Sequence, residues 1–140
     1  MGDGPRDLAE ETVVPIRADS DIVTARQQGR AMASLLGFSS TEATLVATAS
    51  SELARNIVLY ATRGEIALSA VEDRNRRGVI VMARDKGPGI PDVRRATAGG
   101  YSTSGGLGLG LAGVRRLMDE FEIVSEVGSG TTVTAKKWKL

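Results

Sequence analysis

The sequence predicts a two-layer α/β sandwich, with helices on one face of a mixed, mostly antiparallel sheet. Three observations carry the prediction. Apolar residues keep a helical spacing as far as about Ala61, and from Gly64 they alternate as in a strand. Two pairs of strand-like runs are each joined by a polar or glycine-rich turn. Helical and hairpin segments are segregated in the order β-α-α-β-β-α-β-β, which places the helices on one side of the sheet. The chain has 140 residues, the size of one domain, since domains commonly run ~100–150 residues.

Each element has a local reason. Thr12 to Arg17 reads TVVPIR, a short apolar strand. Pro15 has no N–H to donate to a ladder, so an edge strand or a strand end is expected. Asp19, Ser20 and Asp21 offer helix caps. Ile22, Ala25, Gly29, Met32, Ala33 and Leu36 follow at helical spacing, and Gly37 can close that helix in the left-handed region. Ser39 to Glu42 is a capping box. It opens a second helix reaching about Ala61, with Val46, Ala49, Leu53, Ile57 and Tyr60 as one stripe.

Ile66, Leu68 and Ala70 then alternate with Glu65, Ala67 and Ser69, as in a half-buried strand. Asp73 to Gly78 reads as a polar turn, and Val79 to Ala83 as a buried central strand. After a glycine-rich stretch, a third helix is expected with Leu111, Val114, Leu117 and Met118 inward. Phe121 to Val127 and Thr131 to Lys139 form a second hairpin, turned at Gly128-Ser129-Gly130. Lys136, Lys137 and Lys139 suit an exposed edge strand kept soluble by charge.

Composition removes several chemistries. There is no histidine and no cysteine. A Ser-His-Asp triad, a histidine base, a thiolate nucleophile and a self-phosphorylated histidine are therefore excluded. The net charge of +1 gives no field that draws the surface to nucleic acid or an anionic membrane. No apolar run approaches the ~18–20 residues of a membrane helix. The polar start, Met1 to Glu11, is not a signal peptide. Without cysteine or a signal, the cytoplasm is the expected compartment.

The stretch from Gly87 to Gly113 holds nine glycines. G-x-G-x-x-G occurs at Gly108, Gly110 and Gly113, but a polar loop precedes it, and Val133 stands where a dinucleotide fold needs an acid ~20 residues on. No P-loop motif is present. A different constellation fits. Glu52 and Asn56 lie at i and i+4, one turn apart on a shared helix face. Asp85 and the glycines Gly87 and Gly89 follow the central strand. Gly105, Gly106, Leu107, Gly108, Leu109 and Gly110 open the third helix, and Gly130-Thr131 begins the last strand.

Each piece suits ATP and magnesium. An Asp85 carboxylate can accept from the exocyclic amine of adenine, and Gly87 and Gly89 allow close approach of the backbone. Gly106, Gly108 and Gly110 put unshielded N–H groups at a helix N-terminus, where phosphates are favoured. Asn56 offers a hard amide oxygen to Mg²⁺. Glu52 is placed to take a proton. Alone, Glu52 reads as a solvent-facing helical residue; the neighbouring Asn56, a poor helix former in an apolar run, changes that reading.

The residues ELARN (Glu52–Asn56), DKGPG (Asp85–Gly89), GGLGLG (Gly105–Gly110) and GT (Gly130–Thr131) resemble the four boxes of the GHKL superfamily, the Bergerat ATP-binding fold. The resemblance covers about residues 12–140. It implies a single ATP-binding domain over 1–140, with 1–11 flexible and 91–105 as a lid over the nucleotide. Gyrase-type ATPases, heat-shock chaperones and MutL carry further domains, and histidine kinases need a histidine-bearing domain. The free-standing protein serine/threonine kinases remain. GYSTSGGLGLGL followed by GVRRLMDEFEIVSEVGSGT is similar to the switch kinases of the bacterial stressosome.

That resemblance implies an ATP- and Mg²⁺-dependent kinase with Glu52 as general base. Asn56 would ligate Mg²⁺, Asp85 and Gly89 would hold adenine, and the segment from Gly106 to Gly110 the phosphates. It implies STAS-domain proteins as substrates and a PPM-type phosphatase as the target of activation. Two alternatives stand beside it: a nucleotide-gated binding module of the anti-sigma kind with secondary kinase activity, and a detached histidine-kinase catalytic domain acting in trans.

Overall fold

The computed structural model describes residues 6–8, 10–90 and 110–140. Its strands are β1 (Arg6–Asp7), β2 (Thr12–Ile16), β3 (Gly64–Asp73), β4 (Arg76–Asp85), β5 (Glu120–Glu126) and β6 (Gly130–Trp138). Its helices are α1 (Asp19–Leu35), α2 (Ser40–Tyr60) and α3 (Gly110–Leu117). The sheet order is β1-β3-β4-β6-β5, with β2 also paired to β3, and the pairings described are antiparallel. The sandwich expected from the sequence is thus the one observed. The short β1 adds a strand inside the polar N-terminal segment.

The edge position of Pro15 follows its chemistry: β2 lies at the outer side of β3, with Pro15 opposite Glu65. β4 is central, as its apolar run required. Its hairpin with β3 is tighter than expected. Asp73 pairs Arg76, and only Arg74 and Asn75 turn the chain, both at positive φ (52° and 69°). Two residues in that region make the primed turn whose twist matches the strands.

A second difference concerns the C-terminal lysines. β6 is no edge strand, because it pairs with β4 on one side and β5 on the other. Lys136 and Lys137 are part-buried and face Glu120 and Asp119, at 3.9 and 3.5 Å. Edge protection falls instead to Glu120, Glu122 and Glu126 of β5, all exposed.

The core lies between the sheet and α1 with α2. Ile66, Leu68, Val79, Val81 and Ala135 are fully buried against Val46, Ala49, Leu53 and Ile57. Burying each large aliphatic side chain contributes roughly 1.5–3 kcal/mol. Tyr60 leaves the expected stripe and is half-exposed. The helices approach closely at Gly29, where a Cβ would stand 2.5 Å from Ser50 Oγ.

Helix α2 is anchored at its start. Ser39 Oγ accepts from the Glu42 N–H at 3.1 Å, and Glu42 Oε1 accepts from the Ser39 N–H at 3.2 Å. The second Glu42 oxygen accepts from the Leu140 N–H at 3.1 Å. Burial pushes the Glu42 carboxyl up, but these N–H donors, the Ser39 hydroxyl and the Lys137 charge outweigh it and hold its pKa below the usual value. The start of α1 differs from expectation. Its N-cap is Ala18, and Asp21 reaches back to accept from the Arg17 and Ala18 N–H groups. No helix among the described residues is long and apolar enough to cross a membrane.

Candidate nucleotide site

Strand register builds one end of the site. Gly64, Asp85, Thr131 and Ser125 stand opposite one another across β3, β4, β6 and β5. Alternation puts this row on the face that carries Ile66, Ala83 and Val133, the face covered by helices. Asp85 therefore ends the central strand at the helix side of the sheet. Its Oδ1 accepts from the Gly87 N–H at 2.8 Å, which turns the chain out of β4.

The glycines around it are required by the protein's own packing. A Cβ at Gly87 would stand 2.7 Å from Ala61 Cβ at the end of α2. Gly89 has φ +80°, and a Cβ there would meet the Glu126 carbonyl oxygen at 2.5 Å. Gly130, at φ +105°, lies so close to the Asp85 carbonyl that a Cβ would stand 2.2 Å from it. The β5–β6 turn is thereby clasped to the segment after Asp85. The Gly128 N–H donates to the Pro88 carbonyl at 2.9 Å, and the Ile90 N–H donates to Ser125 Oγ at 2.7 Å. Buried Thr131 joins this set through a 2.9 Å contact between its hydroxyl and that of Ser125. Sequence reasoning missed Ser125; only strand register brings it opposite Thr131.

Helix α2 supplies the polar pair. Glu52 is 8% exposed, and its Oε2 is buried without a hydrogen-bond partner among the described residues. Asn56, one turn on, is half-buried and makes no side-chain hydrogen bond among the described residues. The C-terminal half of α2 approaches Asp85 through its neighbours, since Ile57 and the Asp85 side chain both close on Gly64. α2 also packs on α3, whose first residue is Gly110 at φ +64° with open space where a Cβ would be. Gly105, Gly106, Leu107, Gly108 and Leu109 lie outside the described residues, as does the expected lid over 91–105.

These observations bear on what the site can hold. A buried acceptor left unpaired is the kind of group that a bound molecule or ion completes. Among the described residues no group of three or more Asp, Glu, His or Cys could hold a metal alone.

The model of the histidine kinase-, DNA gyrase B- and HSP90-like ATPases matches residues 41–140. The chain belongs to that family. It is 51% identical over 131 residues to the serine/threonine-protein kinase RsbT of Bacillus subtilis (strain 168), covering 94% of this chain and 98% of that one. By this likeness the chain is an RsbT-like serine/threonine-protein kinase, and the family's domain implies use of ATP. More distant is the anti-sigma F factor of Geobacillus stearothermophilus, 34% identical over 105 residues, 69% of each chain. The mycobacterial sensor histidine kinase MprB shares the fold, with a TM-score of 0.54, 12% identity, and coverage of 94% of this chain and 98% of that one.

Proposed function

We propose that this kinase phosphorylates a serine or threonine of a STAS-domain scaffold or antagonist protein in a bacterial stress-signalling partner switch, and that on release it activates a PPM-type phosphatase in the cytoplasm. The observation that carries the site assignment is Glu52, whose Oε2 is buried without a partner among the described residues, one turn from Asn56. Leaving such an acceptor unsatisfied costs about 1–3 kcal/mol, and an incoming hydroxyl would satisfy it.

Each residue then has a task. Asp85 keeps Gly87 on Oδ1 and offers Oδ2 to the adenine amine. Gly105 to Gly110 and Thr131 line the phosphates, with α3 directing its N-terminal N–H groups at them. Asn56 would ligate Mg²⁺ through its amide oxygen, and the ion, when bound, would neutralise triphosphate charge. Glu52 accepts the proton of the acceptor hydroxyl. That hydroxyl oxygen bonds to the γ-phosphorus as the bond to the bridging oxygen breaks, and ADP leaves. In such transfers the protein mostly positions groups and stabilises charge.

The likeness to anti-sigma F factors supports a second reading, a nucleotide-gated binding module. Incubation with Mg-ATP and a STAS-domain protein, followed by phosphosite mapping, separates the readings. An acid-stable phosphate on serine or threonine is expected. Nucleotide-dependent capture without transfer favours the binding module, and an acid-labile product indicates transfer to histidine.

A further inference from the structure

The end of the sheet opposite Asp85 carries a separate surface. Asp85 and Arg76 bound the same strand, so roughly 30 Å of extended chain separates the two ends. At the far end lies a pocket of about 340 Å³ lined by Leu36, Asn75, Arg76, Arg77, Lys139 and Leu140. Arg74, exposed in the two-residue turn, stands beside it.

Three nearby carboxylates are committed to other cations, while Asp73, which flanks the turn, has no ion-pair partner among the described residues. Glu72 pairs with Arg6 and, at 3.7 Å, with Arg77. Asp119 pairs with Lys137 and accepts the Trp138 N–H at 2.7 Å. Glu120 pairs with Lys136 and accepts from Trp138 Nε1 at 2.5 Å. Arg74, Arg76 and Lys139 have no carboxylate partner among the described residues. Arg76 is nevertheless held in place, its guanidinium 3.9 Å from the Trp138 ring centroid. The floor is apolar at Leu36, and Leu35 beside it is 87% exposed.

We propose that this corner docks an acidic segment of a protein partner. Carboxylates of that segment meet Arg74, Arg76 and Lys139, and one of its apolar side chains enters against Leu36. Charge complementarity selects the partner. Asp73, which flanks the turn, adds a negative charge to the rim and disfavours a continuous polyanion such as nucleic acid. The surface is distinct from the nucleotide site, so the inference does not rest on the proposed catalytic roles.

The test is fluorescence anisotropy with the full chain and a labelled peptide of alternating Glu, Asp and Leu, compared with a single-stranded oligothymidylate of equal charge. The peptide is expected to bind, to weaken between ~0.05 and ~0.3 M salt as screening sets in, and to outcompete the oligonucleotide. R74E combined with K139E should weaken peptide binding about tenfold or more while Mg-ATP affinity stays at the wild-type value. R74A with K139A gives a second variant should the double reversal impair folding. Absence of peptide binding, equal binding by both variants, or tighter binding of the oligonucleotide overturns the proposal. Failure of Mg-ATP binding in the wild type would instead strike the nucleotide site alone.

Discussion

The Gly87 backbone N–H donates to Oδ1 of Asp85 at 2.8 Å, so one oxygen of this carboxylate is engaged by the chain itself. In the proposed site Oδ2 is left for the adenine amine. Asp85→Asn can keep the internal bond through its amide oxygen, but it then presents an NH₂ where adenine's amine needs an acceptor. The variant should melt within a few degrees of wild type and bind ATP at least ~10-fold more weakly, since an unpaired buried polar group costs ~1–3 kcal/mol. Calorimetric titration decides it, and unchanged affinity in the folded variant removes Asp85 from the adenine site.

Gly29→Ala tests the contact between α1 and α2. In a helix this change ordinarily stabilises by roughly 0.5–1 kcal/mol. Here the new Cβ would stand 2.5 Å from Ser50 Oγ and 3.2 Å from Ser50 Cβ. Ser50 is fully buried, with its hydroxyl bonded to the Val46 carbonyl at 2.8 Å. Overpacking of this kind costs about 1–3 kcal/mol and should win. Urea melts should show Gly29→Ala less stable than wild type, with Ser50→Ala restoring part of the loss. A Gly29→Ala protein more stable than wild type would mean that the helices separate freely.

Glu42 gives the fold a pH dependence whose sign is fixed. Its carboxyl titrates below the ordinary value of 4.5 because donors from Ser39 and Leu140 and the charge of Lys137 overcome the effect of burial. Its contribution is therefore present above the unfolded pKa and lost as pH falls through the lower folded pKa. Glu42→Gln should cost ~1.5–3 kcal/mol at pH 7, the scale of hydrogen bonds to a charged group. The gap between variant and wild type should narrow below about pH 4.5. Urea midpoints at pH 7, 5 and 4 test this, and a gap that widens with acid reverses the assignment.

Local signals made much of this fold legible. The capping box at Ser39 and Glu42 and the closing glycine Gly37 act within a few residues of themselves, and both stand where the pattern put them. The Asp85 and Gly130-Thr131 boxes were legible as a pattern, and register explains their juxtaposition. What escaped depended on distant chain. The run from Asp73 to Gly78 reads as a loop because it is polar, yet pairing with β3 extends the strand to Arg76 and leaves two residues to turn. Lys136 and Lys137 looked like edge residues because sequence does not show that β5 lies outside them. The bond from Leu140 to Glu42 spans 98 positions, and the capping box had already accounted for that glutamate.

In the proposed site Glu52 joins stability to activity. Its Oε2 is buried without a partner among the described residues, a feature a protein selected only for stability would lose. Glu52→Gln preserves shape and removes the capacity to take a proton, and its neutral amide is less costly to bury than a carboxylate. The folded variant should therefore melt at or above the wild-type temperature. Mg-ATP affinity should hardly change, because Asn56, Asp85 and the glycine boxes carry nucleotide binding in the proposed site. A general base contributes ~10²–10⁴-fold in rate, and a loose phosphoryl-transfer transition state places this reaction toward the lower end. Single-turnover transfer to the partner protein should slow at least ~10-fold. Wild-type transfer by the variant would dismiss Glu52 as the base. Loss of Mg-ATP affinity with intact folding would move it to the metal site beside Asn56, and a lowered melting temperature would show that Oε2 finds a stabilising partner in solution.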